Sequence, residues 1–186
     1  MSWTALLRVT VVLALFHGSA SAQATDEGPA LSRFEAAVAQ YVAMRERLIT
    51  EKLTGPTANS TAAQLNQASD ALAAAIQRAR AGAKPGDVFQ PVVSEMFKRR
   101  VVNVVRQLNL GPELAAIDDE GPSPVTPALH LRFPGSAPMA TMPPALLAAL
   151  PPLPKALEYR IVRGYLVLRD VDAGLIVDFI PAAVPR

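Results

Sequence analysis

Residues 157–180 read as three short strands separated by two turns, the pattern of a β-meander. Ile161, Val162, Tyr165, Val167, Ile176, Val177 and Phe179 are β-branched or aromatic, the types that fit a pleated surface. Arg163-Gly164 has the form of a two-residue hairpin loop, with glycine supplying the positive φ. That loop opposes Val162 with Tyr165, Arg160 with Val167 and Glu158 with Arg169, and opposed residues share a face. One face is then Leu157, Tyr159, Ile161, Leu166 and Leu168, and the wetter face carries a Glu158–Arg169 pair. At the second turn, Val171-Asp172-Ala173-Gly174, a three-residue loop would bring Asp178 onto the apolar face. A four-residue loop opposes Leu168 with Val177 instead. A one-residue slip reverses every side chain, so the four-residue loop is expected, with Asp178 beside Arg160 and Arg169. Three strands do not stand alone, so the apolar face needs a cover.

Helical patterns ahead of the meander supply that cover. Ser32-x-x-Glu35 reads as a capping box opening a first helix, with Leu31, Phe34, Val38, Tyr41, Val42, Leu48 and Ile49 at helical spacing to about residue 52. Thr61-x-x-Gln64 offers a second box, followed by a narrow stripe of Leu65, Leu72, Ile76 and Ala79 that stops at Gly82. The short connection predicts an antiparallel helical hairpin. After a turn at Lys84-Pro85-Gly86-Asp87, Pro91 suits the first position of a third helix ending near Asn109. Its broad stripe is Val93, Met96, Phe97, Val101, Val104, Val105 and Leu108, which makes it the expected cover for the meander. A short fourth helix is expected over about 112–119, an edge strand over 128–133, and a short helix over 145–150 before the stiff Pro151-Pro152-Leu153-Pro154.

The predicted fold class is α+β: a helical hairpin and third helix packed on a small antiparallel sheet with a C-terminal three-stranded meander. Residues 31–186 form one domain, with a helical part (31–119), a Pro-rich linker (120–127) and the strand and meander (128–182). Residues 23–30 read as a polar, mobile lead-in. Residues 1–22 read as a secretory signal peptide: Arg8 gives the positive region, 9–16 an apolar run far shorter than a membrane span, and Ala20-Ser21-Ala22 the small-residue cleavage site.

Cysteine is absent, which excludes thiol catalysis and Cys-ligated metal. The chain has 18 Lys and Arg against 16 Asp and Glu, and losing Arg8 brings the mature chain nearer balance. No electrostatic pull toward nucleic acid follows, and no membrane span is expected in the mature chain.

The run LPPLPKALEYRIVRGYLVLRDVDAGLIVDFI resembles the C-terminal module of a periplasmic family linked to nickel and cobalt homeostasis. The matching positions are Pro151, Pro152 and Pro154, with Tyr159, Leu168, Asp170, Gly174, Ile176 and Asp178. Over the whole mature chain the stretches YVAMRERL, IQRARAGAKPGDVF, ATMPPALLAALPPLP, LEYR and LIVDFIP are similar to a family of uncharacterised exported bacterial proteins. The first resemblance implies a periplasmic metal-homeostasis role; the second implies export and no stated activity.

The residues themselves supply little chemistry. His17 leaves with the signal peptide, so His130 is the one mature imidazole, and nickel or cobalt favours imidazole ligands. His130 reads as a solvated or hydrogen-bonded histidine. Asp170-x-Asp172-x-Gly174 lacks the third acidic ligand and closing Glu of a calcium loop and reads as a polar turn. There is no Gly-x-Ser-x-Gly elbow and no second histidine for a triad. No catalytic, cofactor or metal residue is assigned, and no cofactor is expected.

Two cations are anomalous. Arg45 and Arg100 fall inside the apolar stripes of the first and third helices. Either their stems snorkel at the stripe edge, or both meet buried acids or an anionic ligand between helices and sheet. The reading is an exported non-catalytic protein with a binding or structural role in the bacterial envelope. The alternatives are a periplasmic metal-homeostasis protein and a hydrolase of unrecognised type.

Cleavage is expected after Ala22, leaving Gln23 as the first residue. Intact mass of protein recovered from the envelope checks this, and a chain retaining residues 1–22 would contradict it.

Overall fold

A computed structural model describes residues 24–52, 57, 59–120, 126–132 and 142–185. Five helices and three strands follow in order: α1 Ala24–Lys52, α2 Ala62–Ala79, α3 Pro91–Leu108, α4 Gly111–Glu120, α5 Pro144–Ala149, β1 Leu157–Val162, β2 Tyr165–Asp170 and β3 Ile176–Ile180. The strands form one antiparallel sheet in the order β1-β2-β3, and the chain is α+β as its sequence patterns predict. The expected signal peptide and most of the Pro-rich linker lie outside the described residues.

Local signals explain several boundaries. Thr61 caps α2 by accepting from the Gln64 amide while the Gln64 side chain accepts from the Thr61 amide, the reciprocal box read from the sequence. Pro91 opens α3 and Asn109, at φ 51°, closes it in the left-handed conformation. α1 departs from expectation. It begins at Ala24, eight residues before the Ser32 box, and runs through Pro29. Tertiary contacts override the local cap: Ala30 is buried and Glu27 pairs with Arg100 on α3. Residues 24–30, expected as a lead-in, are therefore helical.

Four aromatic rings join helices to sheet. Phe34 of α1 stacks on Phe89 at 5.8 Å between centroids and meets Phe97 of α3 edge-on at 4.9 Å. Phe97 in turn lies 5.9 Å from Tyr159 on β1. Val93, Met96, Phe97, Val101 and Val105 are the buried stripe of α3. Val104 is only partly buried and Leu108 is exposed, so the stripe is narrower and rotated from the predicted one. Leu65, assigned to the α2 stripe, is likewise exposed, while Leu72 and Ile76 are buried.

The first hairpin has the expected register, Val162 opposite Tyr165 and Glu158 opposite Arg169. The second obeys the four-residue register only next to the turn, where Arg169 faces Ile176 and the Asp170 amide donates to the Leu175 carbonyl. A bulge then intervenes at Val177, and Leu168 faces Asp178 and Leu166 faces Ile180. The expected Leu168–Val177 pairing is corrected. The bulge sends Ile176 into a small outer cluster with Val167, Val162, Tyr165, Phe179 and Leu131, and Val177 into the main core.

Asp178 therefore sits on the apolar face, fully buried. The α2–α3 connection makes this tolerable. The amides of Val88 and Phe89 donate to one carboxylate oxygen at 2.8 Å, and those of Gly86 and Phe179 to the other at 2.9 Å. Gly86 adopts φ 91°, which turns its N–H inward and is a conformation a side chain resists. Arg80 at the end of α2 donates to the Val177 carbonyl, holding the bulged residue from the same side.

The expected edge strand at 128–133 is also corrected. Ala128 and Leu131 close a turn, His130 takes φ 61°, and only Arg132 bridges to Leu175. Phe133 lies outside the described residues.

Replacing Asp178 with Leu keeps an apolar face continuous yet orphans the buried Val88 and Phe89 amides. The expected cost is about 3 kcal/mol or more, measured by denaturant unfolding. A loss below about 0.5 kcal/mol would mean the carboxylate faces solvent.

Candidate functional site

Arg45 and Arg100 do meet acids, but not a common cavity. Arg45 is buried in the middle of α1's inner face. Its Nε donates to Asp170 at 2.8 Å and its terminal nitrogen pairs with Asp172. Tyr41, one turn earlier, donates to the same Asp170 oxygen at 2.9 Å, and the Ala173 amide donates to the other at 2.8 Å. Burial, reinforced by the Asp170 charge, pushes the Tyr41 phenol well above its ordinary value, so it stays a donor. Ser69 of α2 donates to the Asp172 carbonyl, so the β2–β3 turn is held by both arms of the helical hairpin. The Asp170-x-Asp172 spacing that resembles a calcium loop is thus occupied by a guanidinium and a phenol.

Arg100 is half-buried. It donates to Glu27 in the first turn of α1 at 2.9 and 3.2 Å and to the Ala149 carbonyl at the end of α5 at 3.3 Å. Both positions suit the helix ends, an acid at an N-terminus and a cation at a C-terminus. Glu27 and Arg45 are separated by about 27 Å along α1 at roughly 1.5 Å per residue, so the two arginines are separate fasteners.

His130 lies beside β3, its amide donating to the Ile176 carbonyl and its carbonyl accepting from Gln77. Burial, with help from the Arg80 charge, lowers its pKa from 6.5, which keeps the ring neutral near neutral pH. Among the described residues no three His, Cys, Asp or Glu side chains converge closely enough to hold a metal. Nor, among them, is any helix long and apolar enough to cross a membrane.

Among the described residues one open feature is a groove of about 460 Å³ along β1; a smaller one of about 230 Å³ lies between Leu48 and Ala75, Arg78 and Ala79. One wall is Pro151, Pro152 and Leu153, with Met142 and, from α5, Leu147; the other is Leu157, Glu158, Tyr159 and Arg160. Leu147 is 51% exposed there. Tyr159 donates to the Pro151 carbonyl at 3.0 Å, which fixes the Pro wall relative to the strand, and burial raises its pKa. On the rim, Glu158 accepts from Arg160 and from Arg169, each at 2.6 Å. Burial opposes the Glu158 charge, but these two guanidinium bonds outweigh it and hold the carboxyl below the usual glutamate value. The Nε groups of both arginines are buried, with no partner among the described residues. The Glu158–Arg169 pair is the one predicted from the hairpin register. The groove itself was not read from sequence, although its Pro-rich wall was.

No family model, curated protein or solved structure matches this chain. The class of protein is given by its own architecture: among the described residues, five helices, with an α1–α2 hairpin and α3 packed by rings and ion pairs onto one face of a three-stranded meander.

Arg45→Ala leaves the buried Asp170 charge with no cationic partner, met only by the Tyr41 phenol and the Ala173 amide, and is expected to cost about 3–5 kcal/mol in denaturant unfolding. Asp172→Ala removes a partner whose side chain is 67% exposed and should cost about 1 kcal/mol or less. Comparable losses for the two would show that Asp172, not Asp170, carries the contact.

Proposed function

We propose that this protein is an exported, non-catalytic binding protein of the bacterial envelope, and that the groove along β1 receives its ligand. The observation that carries the reading is the groove: about 460 Å³, largely apolar, with an exposed leucine on one lip and Glu158 and Arg160 on the other. Ligand sites typically have such a volume and a few polar groups on an apolar lining. The two fully buried carboxylates point the same way. Asp170 and Asp178 are each met by donors of the chain itself, which commits them to holding the fold rather than to proton transfer. Export follows from the Arg8, apolar-run and Ala20-Ser21-Ala22 sequence, and the resemblance to exported bacterial proteins agrees with it.

Indole, a small apolar probe, tests the site by NMR titration. Amide and methyl shifts are expected to centre on Leu147, Leu153 and Tyr159. Leu147→Asp should weaken indole binding by about tenfold while changing stability by about 0.5 kcal/mol or less, since the residue is half in solvent. Shifts centred elsewhere, or unchanged affinity in Leu147→Asp, would overturn the assignment.

A further inference from the structure

Four successive β1 residues, Leu157, Glu158, Tyr159 and Arg160, line the groove. Their side chains alternate between the two faces of the sheet, so a cavity that touches all four lies along the strand's edge rather than on a face. β1 is the outer strand of the sheet. The two-residue Arg163-Gly164 loop makes Val162–Tyr165 a hydrogen-bonded pair, so the backbone groups of Leu157, Tyr159 and Ile161 point away from β2. The Leu157 amide accordingly donates outward, to the Pro154 carbonyl at 2.9 Å. Tyr159 and Ile161 have no backbone partner on that side among the described residues. Pro151 and Pro152 in the facing wall carry no N–H, so that wall cannot close on β1 as a further strand.

We infer that the groove takes an extended polypeptide segment of another protein, added to β1 as a fourth strand, with an acidic side chain placed against Arg160. This rests on the reading of the groove as the ligand site. Pairing with the Tyr159 N–H and C=O supplies the main-chain bonds, and the segment's alternate side chains face Leu147 and the Pro wall on the inner side. The outer side specifies charge. Among the described residues Arg160 and Arg169 share the single Glu158, which leaves one positive charge in excess and two buried Nε donors without a partner. A carboxylate completes that set, and a lysine there would meet like charge. The stretch from Leu157 to Arg160 spans about 13 Å at roughly 3.3 Å per residue, the length of four extended residues.

The probe is acetyl-Val-Thr-Val-Glu-Val-Thr-amide, with two analogues: Lys for Glu, and an N-methyl group on the central Val amide. Wild-type protein is expected to bind the Glu peptide about tenfold more tightly than the Lys peptide. The peptide should slow hydrogen exchange at the Tyr159 amide. N-methylation should abolish binding, and Arg160→Glu should reverse the Glu-over-Lys preference. Because the Glu/Lys comparison uses wild-type protein, it stands even if Arg160→Glu fails to fold. Indole shifts at Leu147 and Leu153 without any peptide protection of Tyr159 would overturn strand addition and leave the ligand site standing. Absence of both would remove the ligand site as well. Equal binding of the N-methylated peptide would overturn the inference. So would protection of Tyr159 that rises with protein concentration alone, since a second copy would then be the occupant.

Discussion

A carboxylate without water must have its charge met inside the fold, and Asp178 is met by four backbone amides. Three of them belong to the connection between α2 and α3. Amides converging in this way form the kind of nest that binds anions in other proteins; here the chain supplies its own anion. The consequence reaches far. The Gly86–Phe89 segment is tied to β3, Phe89 is delivered to Phe34 and Phe97, and the start of α3 is positioned over the sheet. Through Arg100 and the Ala149 carbonyl, α3 then locates the end of α5, from which the Pro wall of the groove begins.

Strand assignment and the first register were legible because the information is local. Arg163-Gly164 fixes its own hairpin, and Thr61 with Gln64 fixes the start of α2. The second register was not, and the reason is specific. The alternation rule places a carboxylate on the wet face when no partner is in view, but Asp178's partners lie about ninety residues earlier in the chain. A bulge accommodates both demands, keeping the turn in the apolar register and Asp178 in the core. The start of α1 failed for a related reason. Ser32-x-x-Glu35 is a sound local cap signal, and the burial of Ala30, with the Glu27–Arg100 pair beside it, outweighs it from outside the local window.

The two stripe arginines were readable as anomalies and not as a site. A cation inside an apolar stripe signals a partner, and each has one. What helical periodicity cannot give is distance between partners on different elements. Arg45 fastens the middle of α1 to the β2–β3 turn, and Arg100 fastens α3 to the first turn of α1. One is buried with a fully buried acid, so its loss strands a charge; the other is half in solvent and is screened. The groove left no comparable mark in the sequence, because its walls, Pro151–Leu153 and Leu157–Arg160, are separately ordinary and meaningful only side by side.

The two edges of the sheet differ in a way that comes down to backbone donors. Beside β3, residues 130–132 have their N–H groups, and the segment docks: the His130 amide donates to Ile176, and the Ile176 amide donates to Leu131. An edge covered in this way offers little to another chain. Beside β1 the neighbouring segment is Pro151-Pro152-Leu153-Pro154, which retains one N–H in four residues. Among the described residues it meets β1 through the Leu157–Pro154 turn bond and the Tyr159 phenol rather than through a ladder. An edge with no strand partner among the described residues is normally a hazard for aggregation, and proteins blunt it with prolines and charges. Here the prolines stand across from the edge instead of within it, and the charges are Glu158 and Arg160 on the strand itself. That placement discourages indiscriminate pairing, and under the proposed strand addition the same charges would select a strand of matching charge.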